Sequence, residues 1–155
     1  MNQQWEMALE EEFSFLKRND PNQNTVFSQW GFECASGWAG ILRDLFLSIE
    51  EQYKKREVDP DIVILQIKEK FGTLRVYVSF DKTDDTFLSI HRNIRALIEK
   101  AEKQSMTICE YCGNSAEIRK EMPWEKTLCE TCFSKWKAQK SRKENSNKNE
   151  RLYTM

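Results

Sequence analysis

The sequence of 155 residues has little histidine or glycine and no long apolar run. It contains one histidine, His91, and five glycines, at positions 31, 37, 40, 72 and 113. A single histidine excludes HExxH zinc proteases and metal sites built from several imidazoles. The glycines fit neither GxGxxG nor GxxxxGK[ST], so no glycine-rich phosphate-binding loop is visible. No acid, base and nucleophile stand in a recognisable pattern, and we therefore expect a protein that is not an enzyme.

The sequence also lacks an excess of either positive or negative charge. The chain has 24 Lys and Arg against 25 Asp and Glu, a formal net charge of -1. This balance excludes a globally basic nucleic-acid binder but permits a local basic patch. No apolar run approaches the roughly 18 residues that a membrane span needs. The first residues, MNQQWEMALEEEF, are acidic and unlike a signal peptide, which predicts a cytoplasmic protein without a membrane partner.

Hydrophobic periodicity predicts an α+β domain over residues 1–106. Apolar residues at helical spacing predict helices over residues 3–18, 36–56 and about 84–105. Residues 61–80 are rich in β-branched and aromatic side chains, which predicts two antiparallel strands joined by a turn at Phe71-Gly72. We expect the helices to pack on this hairpin, with a further short strand near Phe32. His91 falls on the apolar stripe of the third helix and is interpreted as a core histidine.

Four cysteines form two CxxC pairs separated by sixteen residues. They are Cys109, Cys112, Cys129 and Cys132. This spacing is typical of a zinc ribbon, and we expect all four to bind one structural zinc ion as thiolates over residues 107–136. Four protein ligands leave no open position for catalysis. A nuclease is the enzymatic alternative, because HNH nucleases often carry such pairs, but their chemistry needs several histidines. The fifth cysteine, Cys34, is interpreted as a buried free thiol or, alternatively, a reactive one.

The predicted hairpin has an unusual outer face. A two-residue turn places Lys68 opposite Arg75 and Gln66 opposite Tyr77, and we call Lys68, Lys70, Arg75 and Tyr77 the hairpin face. The predicted core-facing residues are Val63, Leu65, Ile67, Leu74, Val76, Val78 and Phe80. Like charges directly opposite repel. Either a neighbouring carboxylate neutralises them, or the face binds a phosphate, a nucleic-acid backbone or an acidic partner surface.

The C-terminal residues 137–155 are predicted to be a disordered basic tail. From Phe133 onward, seven basic residues stand against two acidic ones, a net of +5. The basic residues are Lys135, Lys137, Lys140, Arg142, Lys143, Lys148 and Arg151. This segment gives a nucleic-acid-binding function its best support in the sequence.

Three segments together resemble a family of small, largely uncharacterised zinc-ribbon proteins of bacteria and their phages. They are the Cys34-Ala-Ser-Gly37-Trp38 helix start, Lys68-Glu-Lys-Phe-Gly-Thr-Leu-Arg75, and Cys109-x2-Cys112-Gly113 followed by Leu128-Cys129-x2-Cys132. The resemblance covers about residues 31–133. It implies a small phage or prophage-type zinc-ribbon protein and supplies no catalytic residues.

The function we expect is that of a non-enzymatic zinc-containing protein that binds a host protein, for example a defence component, and modulates or inhibits it. Two alternatives remain open. The protein binds nucleic acid through the basic tail and the hairpin face, or it sequesters a small phosphorylated or nucleotide signal at Lys68, Lys70 and Arg75.

Overall fold

A computed structural model of the chain describes residues 3–18 and 23–153, with side chains described through residue 143. The helices are α1 (Gln4–Glu12), α2 (Val26–Trp30), α3 (Ala39–Lys54), α4 (Asp85–Ser105) and α5 (Glu130–Tyr153). The strands are β1 (Phe32–Glu33), β2 (Ile62–Lys70), β3 (Thr73–Phe80), β4 (Glu117–Arg119) and β5 (Lys126–Leu128). The molecule therefore combines helices with a three-stranded and a two-stranded sheet.

The larger sheet has the strand order β1-β2-β3. Strands β2 and β3 are antiparallel, and Lys68 lies opposite Arg75 as the sequence predicts. The turn between them has positive φ at both Phe71 (53°) and Gly72 (85°). This is the backbone twist of the two-residue turns that close tight hairpins. The short strand β1 pairs parallel to β2, with Glu33 in register with Lys68.

The core-facing side of β2 differs from the prediction at its first half. Val63 and Leu65 are only half-buried, whereas Ile62 and Ile64 are buried together with Ile67. The pairing shifts between Ile64 and Gln66, so one extra residue is inserted into the strand. Because side chains alternate between the two faces of a strand, the extra residue exchanges the faces of the side chains that precede it relative to those that follow it. Strict alternation along the sequence could not locate that insertion.

Helix α1 is shorter than the predicted helix over residues 3–18. It ends at Glu12, and Phe13 adopts an extended conformation before a single 3-10 turn over Ser14–Leu16. The change of direction lets both Phe13 and Leu16 become fully buried in the core. Tertiary packing therefore breaks a helix that periodicity alone would extend.

Helices α3 and α4 supply the rest of the core and cover one sheet edge. Their fully buried side chains include Leu42, Ile49, Ile90 and Ile94. At the outer edge of β3, the backbone N–H of Leu74 donates to Ser105 Oγ (2.9 Å), and that of Val76 donates to Glu102 Oε2 (3.1 Å). These bonds satisfy edge-strand groups that would otherwise be open to another chain.

Helix α5 runs into the C-terminal segment, residues 137–155, for which the sequence predicts a disordered tail. Helix α5 continues from Glu130 to Tyr153, and only residues 154 and 155 of this segment lie outside the described chain. Lys, Arg, Gln and Glu are good helix formers, and no glycine or proline interrupts the helix. Its first turns pack on the ribbon, where Phe133 is buried and stacks on Trp136 with ring centroids 6.0 Å apart.

Candidate metal centre and hairpin face

The four cysteines predicted as metal ligands converge on one point. The Sγ atoms of Cys109, Cys112, Cys129 and Cys132 lie within 4.8 Å of one another, and all four thiols are free. The Sγ atoms of Cys112 and Cys129 are 3.5 Å apart. Sulfur atoms about 3.8 Å apart are expected around a tetrahedral ion bonded to each at about 2.3 Å. The cluster could therefore hold one metal ion.

Local backbone geometry explains how two distant pairs meet. Gly113, with φ of +83°, turns the chain after the first pair, and its N–H donates to the carbonyl oxygen of Cys109 at 2.9 Å. Strands β4 and β5 then form the short hairpin that carries the chain back to Cys129. This arrangement is the one that the spacing of the cysteines predicts.

The start of α5 provides part of the electrostatic environment of the cluster. The backbone N–H of Cys132 donates to Cys129 Sγ at 3.4 Å. This hydrogen bond, together with hydrogen bonds from the three neighbouring thiols and against the effect of burial, lowers the pKa of the Cys129 thiol to about 7. Cysteine binds metals as a thiolate, so the helix start favours the form of Cys129 that a metal requires. Cys109 and Cys129 are buried, whereas Cys112 is exposed.

The cysteine ribbon is fixed to the start of α3 by close backbone contacts. A Cβ atom on Gly37 would lie 2.2 Å from the carbonyl oxygen of Cys109. The backbone N–H of Gly37 donates to the carbonyl oxygen of Glu110 (2.7 Å), and Trp38 Nε1 donates to that of Ile108 (2.8 Å). The Gly37-Trp38 pair noted in the sequence therefore positions the ribbon.

A charged network that the sequence reasoning missed links the ribbon to the hairpin turn. Lys126 Nζ lies 3.0 Å from Glu110 Oε1 and 3.7 Å from Glu69 Oε2, and Glu110 is buried. Thr127 Oγ1 donates to the carbonyl oxygen of Gly72 at 2.6 Å. No spacing rule pairs these residues, since the partners are far apart in the sequence. The only indication in the sequence is that Glu69 lies just before the hairpin turn and Gly72 forms part of it.

The hairpin face is assembled as predicted, but without the neutralising carboxylate. The side chains of Lys68 and Arg75 make no hydrogen bond or ion pair with any residue that the structure describes. Glu33, the nearest candidate by register, accepts instead from Gln66 Nε2 at 3.0 Å. Arg75 Nε is buried and has no hydrogen-bond partner among the described residues. Tyr77, beside them, is 41% exposed.

Lys70 occupies the end of this face next to the turn. Its Nζ lies 5.8 Å from the ring centroid of Phe71, which is 68% exposed. Lys70 is itself exposed and joins no carboxylate among residues 3–18 and 23–143. The hairpin face therefore presents three cations and a phenol at the protein surface.

Two other residues singled out in the sequence fit the structural interpretation. Cys34 packs against the core, and burial raises the pKa of its thiol to about 12, which disfavours a reactive thiolate. His91 is buried and stacks on Phe80 with ring centroids 3.8 Å apart. Burial lowers the pKa of His91 below its ordinary value of 6.5. His91 therefore belongs to the core, whereas Cys34 is half-buried at its edge.

Fold and site together define an α+β protein with a four-cysteine cluster that could bind a metal near its C-terminal end. No protein-family model, curated protein or solved structure matches the chain. The resemblance to phage and bacterial zinc-ribbon proteins therefore stays a prediction. Within the described part of the chain, no helix combines the length and apolar character that crossing a bilayer requires.

Proposed function

We propose that the protein is a non-enzymatic binding protein of the cytoplasm, in which one structural zinc ion folds the ribbon and the hairpin face recognises an acidic surface of a protein partner. The observation that carries this proposal is the pair Lys68 and Arg75. Two cations lie directly opposite each other on a sheet, and neither has an ion-pair partner in the described chain.

Zinc is the ion we assign to the cysteine cluster. Four thiolates in a tetrahedral arrangement suit zinc, and a cytoplasmic protein keeps its cysteines reduced. With Cys109, Cys112, Cys129 and Cys132 as its ligands, the ion would have a complete coordination shell. Its role would be to stabilise the ribbon, which in turn holds the hairpin turn through Thr127 and Lys126.

The acidic partner follows from electrostatics. Opposed like charges on neighbouring strands are unfavourable in the free protein. A carboxylate from another molecule would relieve that repulsion, and arginine in particular binds carboxylates through two parallel hydrogen bonds. Arg75 has the free Nε that such a contact requires, and exposed Tyr77 adds a side chain of a type enriched at interfaces. The family resemblance leads us to place this partner in a host cell, where binding would modulate or inhibit it.

Affinity capture with charge-reversed variants tests this function. The test variant is Lys68→Glu with Arg75→Glu. The matched control is Arg92→Glu with Lys100→Glu, which changes the net charge equally at exposed positions of α4. We expect the wild type and the control to retain the same protein after nuclease treatment, and the test variant to lose it. Equal retention by the test variant would contradict the role of the hairpin face.

A second candidate function, nucleic-acid binding, is favoured by helix α5. Five basic side chains are exposed on the described part of this helix: Lys135, Lys137, Lys140, Arg142 and Lys143. A rigid basic helix can contact phosphates along a duplex. Duplex DNA binding by fluorescence anisotropy tests this candidate. It predicts affinity that falls steeply with salt, and a weaker salt dependence after Lys135, Lys140 and Arg142 are changed to Gln.

A further inference from the structure

A groove lies between strand β3 and helix α4, outside the sheet edge that α4 covers. Its cavity has a volume of about 360 Å³. Five polar side chains line it: Arg75, Tyr77, Arg95, Glu99 and Glu102. This volume lies near the lower end of the range of about 300–1,000 Å³ found for small-molecule sites. The groove shares Arg75 and Tyr77 with the hairpin face, whereas Lys68 and Lys70 do not line it.

Two guanidinium groups in this groove form no ion pair within the described part of the chain. Arg75 Nε is buried and makes no hydrogen bond with residues 3–18 or 23–143, although a buried donor without an acceptor is costly. Arg95 lies above the ring of Phe80, 5.1 Å from its centroid, and makes no ion pair with any described residue. Two arginines in one groove that form no ion pair with a described residue can both contact an anion, and a phosphate matches the fork geometry of both.

Each of the two glutamates of the groove already has one hydrogen-bond or ion-pair partner. Glu102 Oε2 accepts from the backbone N–H of Val76 at 3.1 Å, and Glu99 Oε1 lies 3.6 Å from Lys103 Nζ. A carboxylate has two oxygens and several acceptor positions, so each can still accept a hydrogen bond. A ligand that carries hydroxyl or N–H donors beside its anionic group would use them. A simple inorganic anion would not.

We propose that this groove binds a nucleoside monophosphate. Arg75 and Arg95 contact the phosphate, the exposed ring of Tyr77 stacks on the base, and Glu99 and Glu102 accept hydrogen bonds from hydroxyl or N–H groups of the nucleoside. Stacking of bases on aromatic rings contributes substantially to such binding and tolerates different bases. This proposal shares Arg75 and Tyr77 with the hairpin face, but it also requires Arg95, Glu99 and Glu102, which lie outside that face.

Isothermal titration of the full-length, zinc-loaded protein tests the groove with AMP, adenosine and inorganic phosphate as probes. We expect AMP to bind at least about tenfold more tightly than either adenosine or phosphate, since charged hydrogen bonds and stacking act together only in AMP. Adenosine or phosphate binding as tightly as AMP would overturn the assignment, as would no binding of AMP.

Substitution of Arg95 locates the site. Arg95→Gln should weaken AMP binding by about tenfold or more, the loss expected for a charge-assisted contact. Arg92→Gln, one turn earlier on α4 and exposed, is the matched control and should bind AMP like the wild type. Wild-type affinity in Arg95→Gln would overturn the proposal. Thermal unfolding and zinc content of both variants confirm that each is folded.

The proposals for the groove and for the hairpin face can be tested separately. Arg95→Gln leaves Lys68 unchanged and should retain the captured protein partner. Lys68→Glu leaves the groove residues unchanged, and AMP affinity should change less than it does in Arg95→Gln. Because Arg75 belongs to both sites, only the variants at Lys68 and Arg95 separate them. Loss of both activities in Arg95→Gln without unfolding would contradict the assignment of Arg95 to the groove alone.

Discussion

The backbone N–H of Gly37 donates a 2.7 Å hydrogen bond to the carbonyl oxygen of Glu110, and this bond joins the start of α3 to the cysteine ribbon. Glu110 continues the junction through its side chain, which accepts from the N–H of Ala35 at 3.0 Å and from Lys126 Nζ at 3.0 Å. Lys126 Nζ also forms an ion pair with Glu69, which lies beside the hairpin turn. The cysteine ribbon therefore contacts both the helix start and the hairpin that carries the proposed binding face.

Replacing Gly37 with alanine should disrupt this junction. The added Cβ would lie 2.2 Å from the carbonyl oxygen of Cys109 and 2.4 Å from that of Glu110, and backbone atoms cannot move aside cheaply. We expect Gly37→Ala to lower the free energy of unfolding by about 1–3 kcal/mol or more, as overpacking does. Denaturant titration of the zinc-loaded protein measures the change.

Gly40→Ala is the matched control for Gly37→Ala. Gly40 lies in the first turn of α3, and an added Cβ would meet nothing within 4 Å. Alanine has the higher helix propensity, so the control should be neutral or stabilised by up to about 1 kcal/mol. Equal effects of the two substitutions would contradict the close approach at Gly37.

Loss of one cysteine ligand should remove the metal and unfold the ribbon while the core persists. We expect the wild type to retain one zinc ion per chain and Cys112→Ser to retain none, as measured by elemental analysis of the purified proteins. Cys34→Ser, the control, should keep its zinc, because Cys34 is not among the clustered thiols. A wild-type protein that is folded and free of metal would contradict a structural zinc site.

The metal cluster is the part of the site that sequence spacing predicts best. Two CxxC pairs impose their own geometry, since each pair turns its two thiols toward one point. The register of the hairpin, with Lys68 opposite Arg75, is predictable for a similar reason, because a two-residue turn at Phe71-Gly72 fixes it. Both features depend on local chain geometry, and both appear in the structure.

Features that depend on distant partners were not predictable. The bulge between Ile64 and Gln66 changes which side chains face the core, and the uninterrupted apolar run over residues 62–65 gives no signal of where the alternation breaks. The groove pairs Arg75 of β3 with Arg95 of α4, and periodicity places α4 on the core without specifying which of its polar residues border the sheet edge. The packing of Phe133 at the start of α5 on the ribbon likewise depends on a contact that the composition of the tail does not reveal.

Removing Lys126 should destabilise the junction through Glu110. The Glu110 side chain is 4% exposed, so its carboxylate depends on Lys126 and on the N–H of Ala35 for compensation. Breaking a buried pair by removing one partner leaves an uncompensated charge and costs about 3–5 kcal/mol when burial is complete. Because Ala35 still donates to Glu110, we expect Lys126→Met to cost less, about 2 kcal/mol.

Lys120→Met provides the comparison for Lys126→Met. Lys120 is exposed and lies just beyond β4, so its loss should change the free energy of unfolding by less than about 0.5 kcal/mol. In the background of Glu110→Gln, the effect of Lys126→Met should shrink, because the uncompensated charge is absent. Additive effects of the two substitutions would show that they do not interact.

Acid should destabilise the protein partly through His91. The imidazole is buried against Phe80, and although Asp61 and Asp84 favour its charged form, burial together with Arg95 lowers its pKa below 6.5. The unfolded chain therefore binds a proton at His91 before the folded chain does, so stability rises with pH in that window and is lost as pH falls from 6.5 through the lowered pKa. Equilibrium unfolding between pH 5 and 8 measures this slope. In His91→Phe, the free energy of unfolding should depend less steeply on pH than in the wild type. Metal release should contribute equally to both proteins. Identical slopes would mean that His91 titrates alike in the folded and unfolded chains.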